Sequence, residues 1–148
     1  MSAVNAIYHV VINTYRREMT IPELSCEALY NYISGIIKKR GCVIYAINGI
    51  ENHIHFLINL HPSVSLSDLV RDIKLGSNNW IKSHQASYPQ FKGWGKEYGA
   101  FTYALRDRDM VRRYIENQKT HHQRQGFETE YRHLLDVAGV EWIDYRLT

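Results

Sequence analysis

Apolar positions along the chain change period several times, and each change marks an element. Ile7 to Thr14 is a β-branched and aromatic run that reads as a strand. Leu29, Ile33, Ile36 and Ile37 then recur at helical spacing up to Arg40, with Ser25 as candidate N-cap. Gly41 stands where a left-handed residue ends a helix. Cys42 to Ile47 predicts a second strand, Asn48-Gly49 a two-residue turn, and Asn52 to Leu60 a third strand. Ser65-Leu66-Ser67-Asp68 has the form of a capping box. It precedes a stripe of Leu66, Val70, Ile73, Ser77 and Trp80 or Ile81, a helix reaching to about Ser83. Ala86 to Gly99 is loop-like, and Ala100 to Ala104 a short strand. Asp107 can cap a third helix that runs to Gln125 and stops at Gly126. A further helical segment, Glu128 to Val137, precedes a tail that includes Trp142 and Tyr145.

The order predicts an α+β sandwich with a βαββαβ core: a four-stranded antiparallel sheet covered by helices on one face, plus C-terminal helices. Ferredoxin-like and RRM-like domains share that plan with many unrelated enzymes, so the plan assigns no function. The length of 148 residues suits a single domain spanning 1–148, and 45% hydrophobic content suffices for a core and argues against disorder. Cys26 and Cys42 lack metal-ligand spacing and read as buried thiols in a reducing compartment. Neither a signal peptide nor an apolar run of the ~18 residues needed to cross a membrane is visible, so a soluble, cytoplasmic protein is expected.

The net charge of +3 decides nothing by itself. Its distribution adds a little. Basic residues bunch at Arg16-Arg17, Lys38-Lys39-Arg40, Arg106/Arg108, Arg112-Arg113 and Lys119 through Arg124, where His121 and His122 also lie. Such groups suit phosphate contacts, and they suit solvated helix faces equally. Eleven tyrosines and three tryptophans are stacking surfaces for single strands or ordinary core material.

The chemistry concentrates in Asn52-His53-Ile54-His55-Phe56-Leu57-Ile58. Side chains at i and i+2 of a strand share a face, so both imidazoles project together and could share a metal ion. On the third helix Tyr114 and Gln118 are one turn apart and also share a face. A carboxamide on an apolar stripe needs a partner, and a cation would be one. The same cation would favour phenolate at Tyr114, whose free pKa of ~10 makes it a poor attacker. Taken singly, the residues have plainer readings: satisfied structural histidines, a core aromatic, a glutamine at the edge of a face. His121 and His122 diverge by ~100° on a helix and do not easily join Gln118 on one ion. His9 falls near the pair on the sheet but is not read as a ligand.

His53-Ile54-His55 together with Tyr114-Ile115-Glu116-Asn117-Gln118 resembles the single-tyrosine HUH transposases, small insertion-sequence enzymes that include the REP-associated tyrosine transposases. The likeness extends over the first strand, the Gly49-to-Ile58 hairpin and the Trp94-to-Phe101 stretch; the chain departs in having Asn52 where many relatives carry aspartate. The resemblance implies a DNA transposase that cleaves and transfers single-stranded DNA at hairpin-marked ends without ATP. Tyr114 would be the nucleophile, forming a 5′-phosphotyrosine link and a free 3′-hydroxyl. His53, His55 and Gln118 would hold one divalent cation, Mg²⁺ or Mn²⁺. Arg16, Arg17, Lys38, Lys39, Arg40, Arg112 and Arg113 would contact DNA. The family is typically homodimeric, and in some members the tyrosine helix serves the partner's histidines. A histidine-triad nucleotide hydrolase fits poorly, since it wants alternating histidines and position 57 is leucine. A non-catalytic, domesticated hairpin-binding protein remains the alternative.

Overall fold

In a computed structural model of the chain, residues 3–118 and 127–137 are described. Four antiparallel strands, β1 (Ile7–Asn13), β2 (Val43–Ile50), β3 (His53–Asn59) and β4 (Gly99–Tyr103), form one sheet in the order β2-β3-β1-β4. Helices α1 (Cys26–Lys39) and α2 (Leu66–Lys82) provide the two crossovers. This is the expected βαββαβ plan. Among the described residues, helices α3 (Arg108–Glu116) and α4 (Phe127–Val137) follow. The basic group Lys119–Arg124 with His121 and His122, the stop at Gly126, and Trp142 and Tyr145 lie outside the described residues. Among the described residues no helix is long and apolar enough to cross a membrane.

Alternation along β3 divides the molecule into two layers. Ile54, Phe56 and Ile58 face α1 and α2, where they join Leu29, Ile33, Ile37, Leu69, Val70 and Ile73 in the main core. Leu57 faces the other way, into a smaller cluster with Ile7, Ala46, Val111 and Ile115 that seats α3. A bulge between Ile44 and Ala46 lets both Tyr45 and Ala46 join that second face. The helices of the core cover one face as expected, and α3 covers the other. That is the face the histidines share.

Several local signals act as read. Gly41 has φ of 79°, and Ser65 Oγ accepts from Asp68 N–H at 3.3 Å. Ser25 stands at the N-cap position of α1, but its hydroxyl donates instead to the Ser87 carbonyl at 2.9 Å, because a 3-10 turn over Glu23–Ser25 leads into the helix. Ser77, odd on an apolar stripe, donates to the Ile73 carbonyl at 2.5 Å and accepts from Trp94 Nε1 at 2.9 Å, which anchors the loop before β4. Both cysteines are buried.

Asn48-Gly49 does not form the turn. Both residues lie inside β2, paired with His55 and Ile54, and the chain reverses at Glu51-Asn52. Glycine is needed at 49 for closeness of approach: a Cβ there would stand 2.1 Å from the His53 carbonyl oxygen and 2.9 Å from Ile54 Cα. Both obstacles are backbone. Gly49→Ala is therefore expected to destabilise the fold by about 2–3 kcal/mol and to displace the start of β3. Denaturant unfolding checks this; a loss below ~0.5 kcal/mol would show that the hairpin yields without cost.

Candidate active site

His53 and His55 are fully buried, with ring centroids 4.9 Å apart and planes at 72°. Their face is open to imidazoles because the helices of the main core lie on the opposite side. The first neighbour is His9, from β1. Its Nε2 lies 2.7 Å from His55 Nδ1, with ring centroids 4.9 Å apart and planes tilted by 30°. This contact engages His55 through Nδ1 and leaves Nε2 as the atom turned toward α4. Burial lowers the pKa of His9 to about 4, against a raising influence of the Glu130 carboxylate, so His9 is a neutral ring at physiological pH. His53 is held in the same way through Nδ1, 2.8 Å from Asn52 Oδ1.

Tyr114 reaches the pair from α3. Its ring centroid is 6.0 Å from that of His55 and 6.1 Å from that of His9, each roughly edge-on. The α3 stripe that buries Val111 and Ile115 against the sheet brings Tyr114 over the histidines. Its hydroxyl donates to Glu130 Oε1. Burial first, then the Glu130 carboxylate, hold the phenol far above its ordinary pKa, and a hydrogen bond with Gln118 pulls the other way. Gln118 is fully buried beside it, with Nε2 3.5 Å from the Tyr114 carbonyl.

Glu130, on α4, is 1% exposed and faces both histidines. Its Oε1 lies 3.4 Å from His55 Nε2, and its Oε2 3.8 Å from His53 Nε2. Ligand atoms of His53, His55 and Glu130 all fall within 4.8 Å of one another. A cation with bonds of ~2.1 Å has ligand edges of roughly 3.0 Å when octahedral and 3.4 Å when tetrahedral, so the group would have to close by an amount on the order of 1 Å to hold one. The donor set, two imidazoles and a carboxylate, is compatible with a divalent cation. Buried imidazoles held from behind through Nδ1 are also the usual arrangement of metal-binding histidine.

The structure thus brings together His53, His55, Tyr114 and Gln118 in a single chain, and adds two residues that the sequence reading did not use. His9 was noticed and set aside. Glu130 was missed, although it sits three residues after Phe127 and four before Leu134, a carboxylate within a helical apolar stripe. The basic residues are more dispersed. Arg16 and Arg17 follow β1 beside the turn that precedes His53. Arg112 and Arg113 directly precede Tyr114 on α3, with Arg112 3.7 Å from Asp109 and 3.9 Å from Glu116. Lys38, Lys39 and Arg40 end α1 near Val43, which pairs with Asn59 at the far end of β3, ~20 Å from His53. Arg40 is ion-paired to Asp72.

The family model for IS200-like transposases matches residues 2–118. No curated protein matches. A crystal structure of a candidate transposase from Deinococcus radiodurans R1 aligns with a TM-score of 0.62 at 23% identity, over 80% of this chain and 95% of that one. A REP-associated tyrosine transposase bound to a REP hairpin aligns with a TM-score of 0.60 at 17% identity, over 82% of this chain and 74% of that one. At these identities the two structures speak for the fold, while the family match runs from β1 to Gln118 and so includes the histidine pair and Tyr114. The chain belongs to the IS200-like transposase family.

Proposed function

We propose that this chain cleaves and rejoins single-stranded DNA with Tyr114 as nucleophile and His53, His55 and Glu130 as ligands of a divalent cation, Glu130 taking the place that the resemblance gives to Gln118. The observation that carries the reading is the meeting of the Tyr114 hydroxyl with the carboxylate that spans both histidine Nε2 atoms. The REP-hairpin complex of the similar structure supports hairpin DNA as the substrate class. In the reaction the Tyr114 oxygen bonds to the scissile phosphorus as the bond from phosphorus to the 3′-oxygen breaks. The phenolic proton is lost, and the leaving 3′-oxygen takes one up. A 5′-phosphotyrosine link remains, which a second 3′-hydroxyl can reverse, so joining needs no ATP.

Glu130 holds the phenol against the histidines, which restricts its approach to one direction. The cation, when bound, would polarise the phosphate and offset charge on its oxygens. Arg16, Arg17, Arg112 and Arg113 would anchor the flanking backbone, and Lys38, Lys39 and Arg40 a more distant part of the hairpin. Since Tyr114 meets the histidines of its own chain, catalysis would proceed in cis, and the expected homodimer would not be needed to complete the site. Incubation with a cognate single-stranded hairpin and Mn²⁺ should yield a protein–DNA adduct that survives denaturation. Hairpin binding without any adduct would favour the non-catalytic alternative.

A further inference from the structure

Arg16 and Arg17, successive in the chain, have left-handed backbone with φ of 52° and 58°. Residues with a Cβ disfavour that conformation. Such strain persists only where the surroundings over-determine it, and it gathers at functional sites. Here the surroundings are the turn between β2 and β3. Thr14 N–H donates to the Asn52 carbonyl at 3.0 Å, and Thr20 and Ile21 N–H donate to the Glu51 carbonyl at 3.0 and 2.9 Å. From the other side Tyr15 N–H donates to the Gly93 carbonyl at 2.9 Å. The strained turn is therefore docked on the residues that lead directly into His53. Arg16 is exposed, its guanidinium 5.2 Å from the centre of the Tyr15 ring.

One side chain joins the two features. Asn52 Nδ2 donates to the Arg17 carbonyl at 3.3 Å, and Asn52 Oδ1 faces His53 Nδ1 at 2.8 Å. A carbonyl only accepts, so the nitrogen of the carboxamide must face Arg17, which fixes the orientation of the group. Oδ1 in turn only accepts. His53 Nδ1 must then carry a proton, so in the neutral ring the lone pair is on Nε2, the atom that faces Glu130.

We infer that Asn52 is a positioning residue with two duties: it fixes the tautomer of His53 that can ligate a cation, and it holds the Arg16–Arg17 turn in the strained form that presents the exposed Arg16 guanidinium to DNA. Aspartate would perform the first duty and not the second, since it has no donor for the Arg17 carbonyl. The inference rests on the proposed reading that His53 ligates a cation and that DNA is the substrate.

The test uses Asn52→Asp and Asn52→Ala, with Mn²⁺ affinity read by electron paramagnetic resonance without DNA, and hairpin affinity read over a range of salt without metal. Asn52→Asp should keep Mn²⁺ affinity at or above that of the unmodified protein and lose about tenfold in hairpin affinity. Asn52→Ala should lose in both, Mn²⁺ by roughly 10–100-fold. The isosteric aspartate variant carries the comparison alone should the alanine variant fail to fold. Added negative charge is separated from displacement of the turn by Arg16→Gln/Arg17→Gln, made alone and with Asn52→Asp: displacement predicts that the two losses do not add. Loss of Mn²⁺ binding in the aspartate variant, unchanged hairpin binding, or additive losses would each overturn the inference. Failure of the unmodified protein to bind Mn²⁺ would instead overturn the proposed cation site.

Discussion

Tyr114→Phe is expected to abolish the covalent adduct, a loss on the order of 10³-fold or more, while hairpin binding survives. The variant keeps the ring, its edge-on contacts with His9 and His55 and the packing of α3, and removes only the oxygen that would attack phosphorus. It also removes the donor to Glu130, but that carboxylate still faces two imidazoles. A denaturing gel with end-labelled hairpin DNA reads the outcome. Neighbouring tyrosines make the control informative, because Tyr103 lies 6.3 Å from His9 by ring centroids. An adduct that persists in Tyr114→Phe would remove Tyr114 as nucleophile and direct attention to Tyr103.

His55→Ala is the second substitution with a large expected effect. It should lower Mn²⁺ affinity by at least roughly 100-fold and abolish cleavage, with hairpin binding retained. Because His55 also partners the buried His9, some stability is lost, about 1–3 kcal/mol, and binding should be measured well below the unfolding midpoint. Glu130→Gln isolates the ligand question. It preserves shape and replaces a charged oxygen donor by a neutral one, so Mn²⁺ affinity should fall more than in Gln118→Ala. The opposite ranking, read by the same resonance titration, would return the third ligand to Gln118 and leave Glu130 as the partner of the Tyr114 hydroxyl alone.

Much of this was legible along the chain wherever the physics is local. Period-two alternation placed His53 and His55 on one face. The third helix, expected to run on to Gln125, ends at Glu116, so Gln118 comes beside Tyr114 past the end of α3 and not one turn along it. Gly41 ends α1 in left-handed backbone, and Ser65 caps α2 through the Asp68 N–H. The misreading of Asn48-Gly49 has an instructive cause. The pair has turn chemistry, but what selects glycine at 49 is the His53 carbonyl of the neighbouring strand, and no local pattern reports that neighbour.

Glu130 and His9 show the same division at the site. The motif residues are two short groups whose internal geometry follows from strand and helix alone. Their meeting depends on α3 crossing the sheet face away from α1 and α2, on a bulge at Tyr45 that shapes its seat, and on α4 returning a carboxylate to both imidazoles. The sequence by itself determined the order βαββαβ, the shared face of His53 and His55 and the family resemblance. Only the tertiary structure decided which face α3 covers, that one chain completes the cluster, and that Glu130, His9 and Asn52 surround the histidine pair. Repeat distances along a backbone set the first group. The second comes from packing between segments far apart in sequence, whose free energy belongs to the whole fold and to no stretch of it.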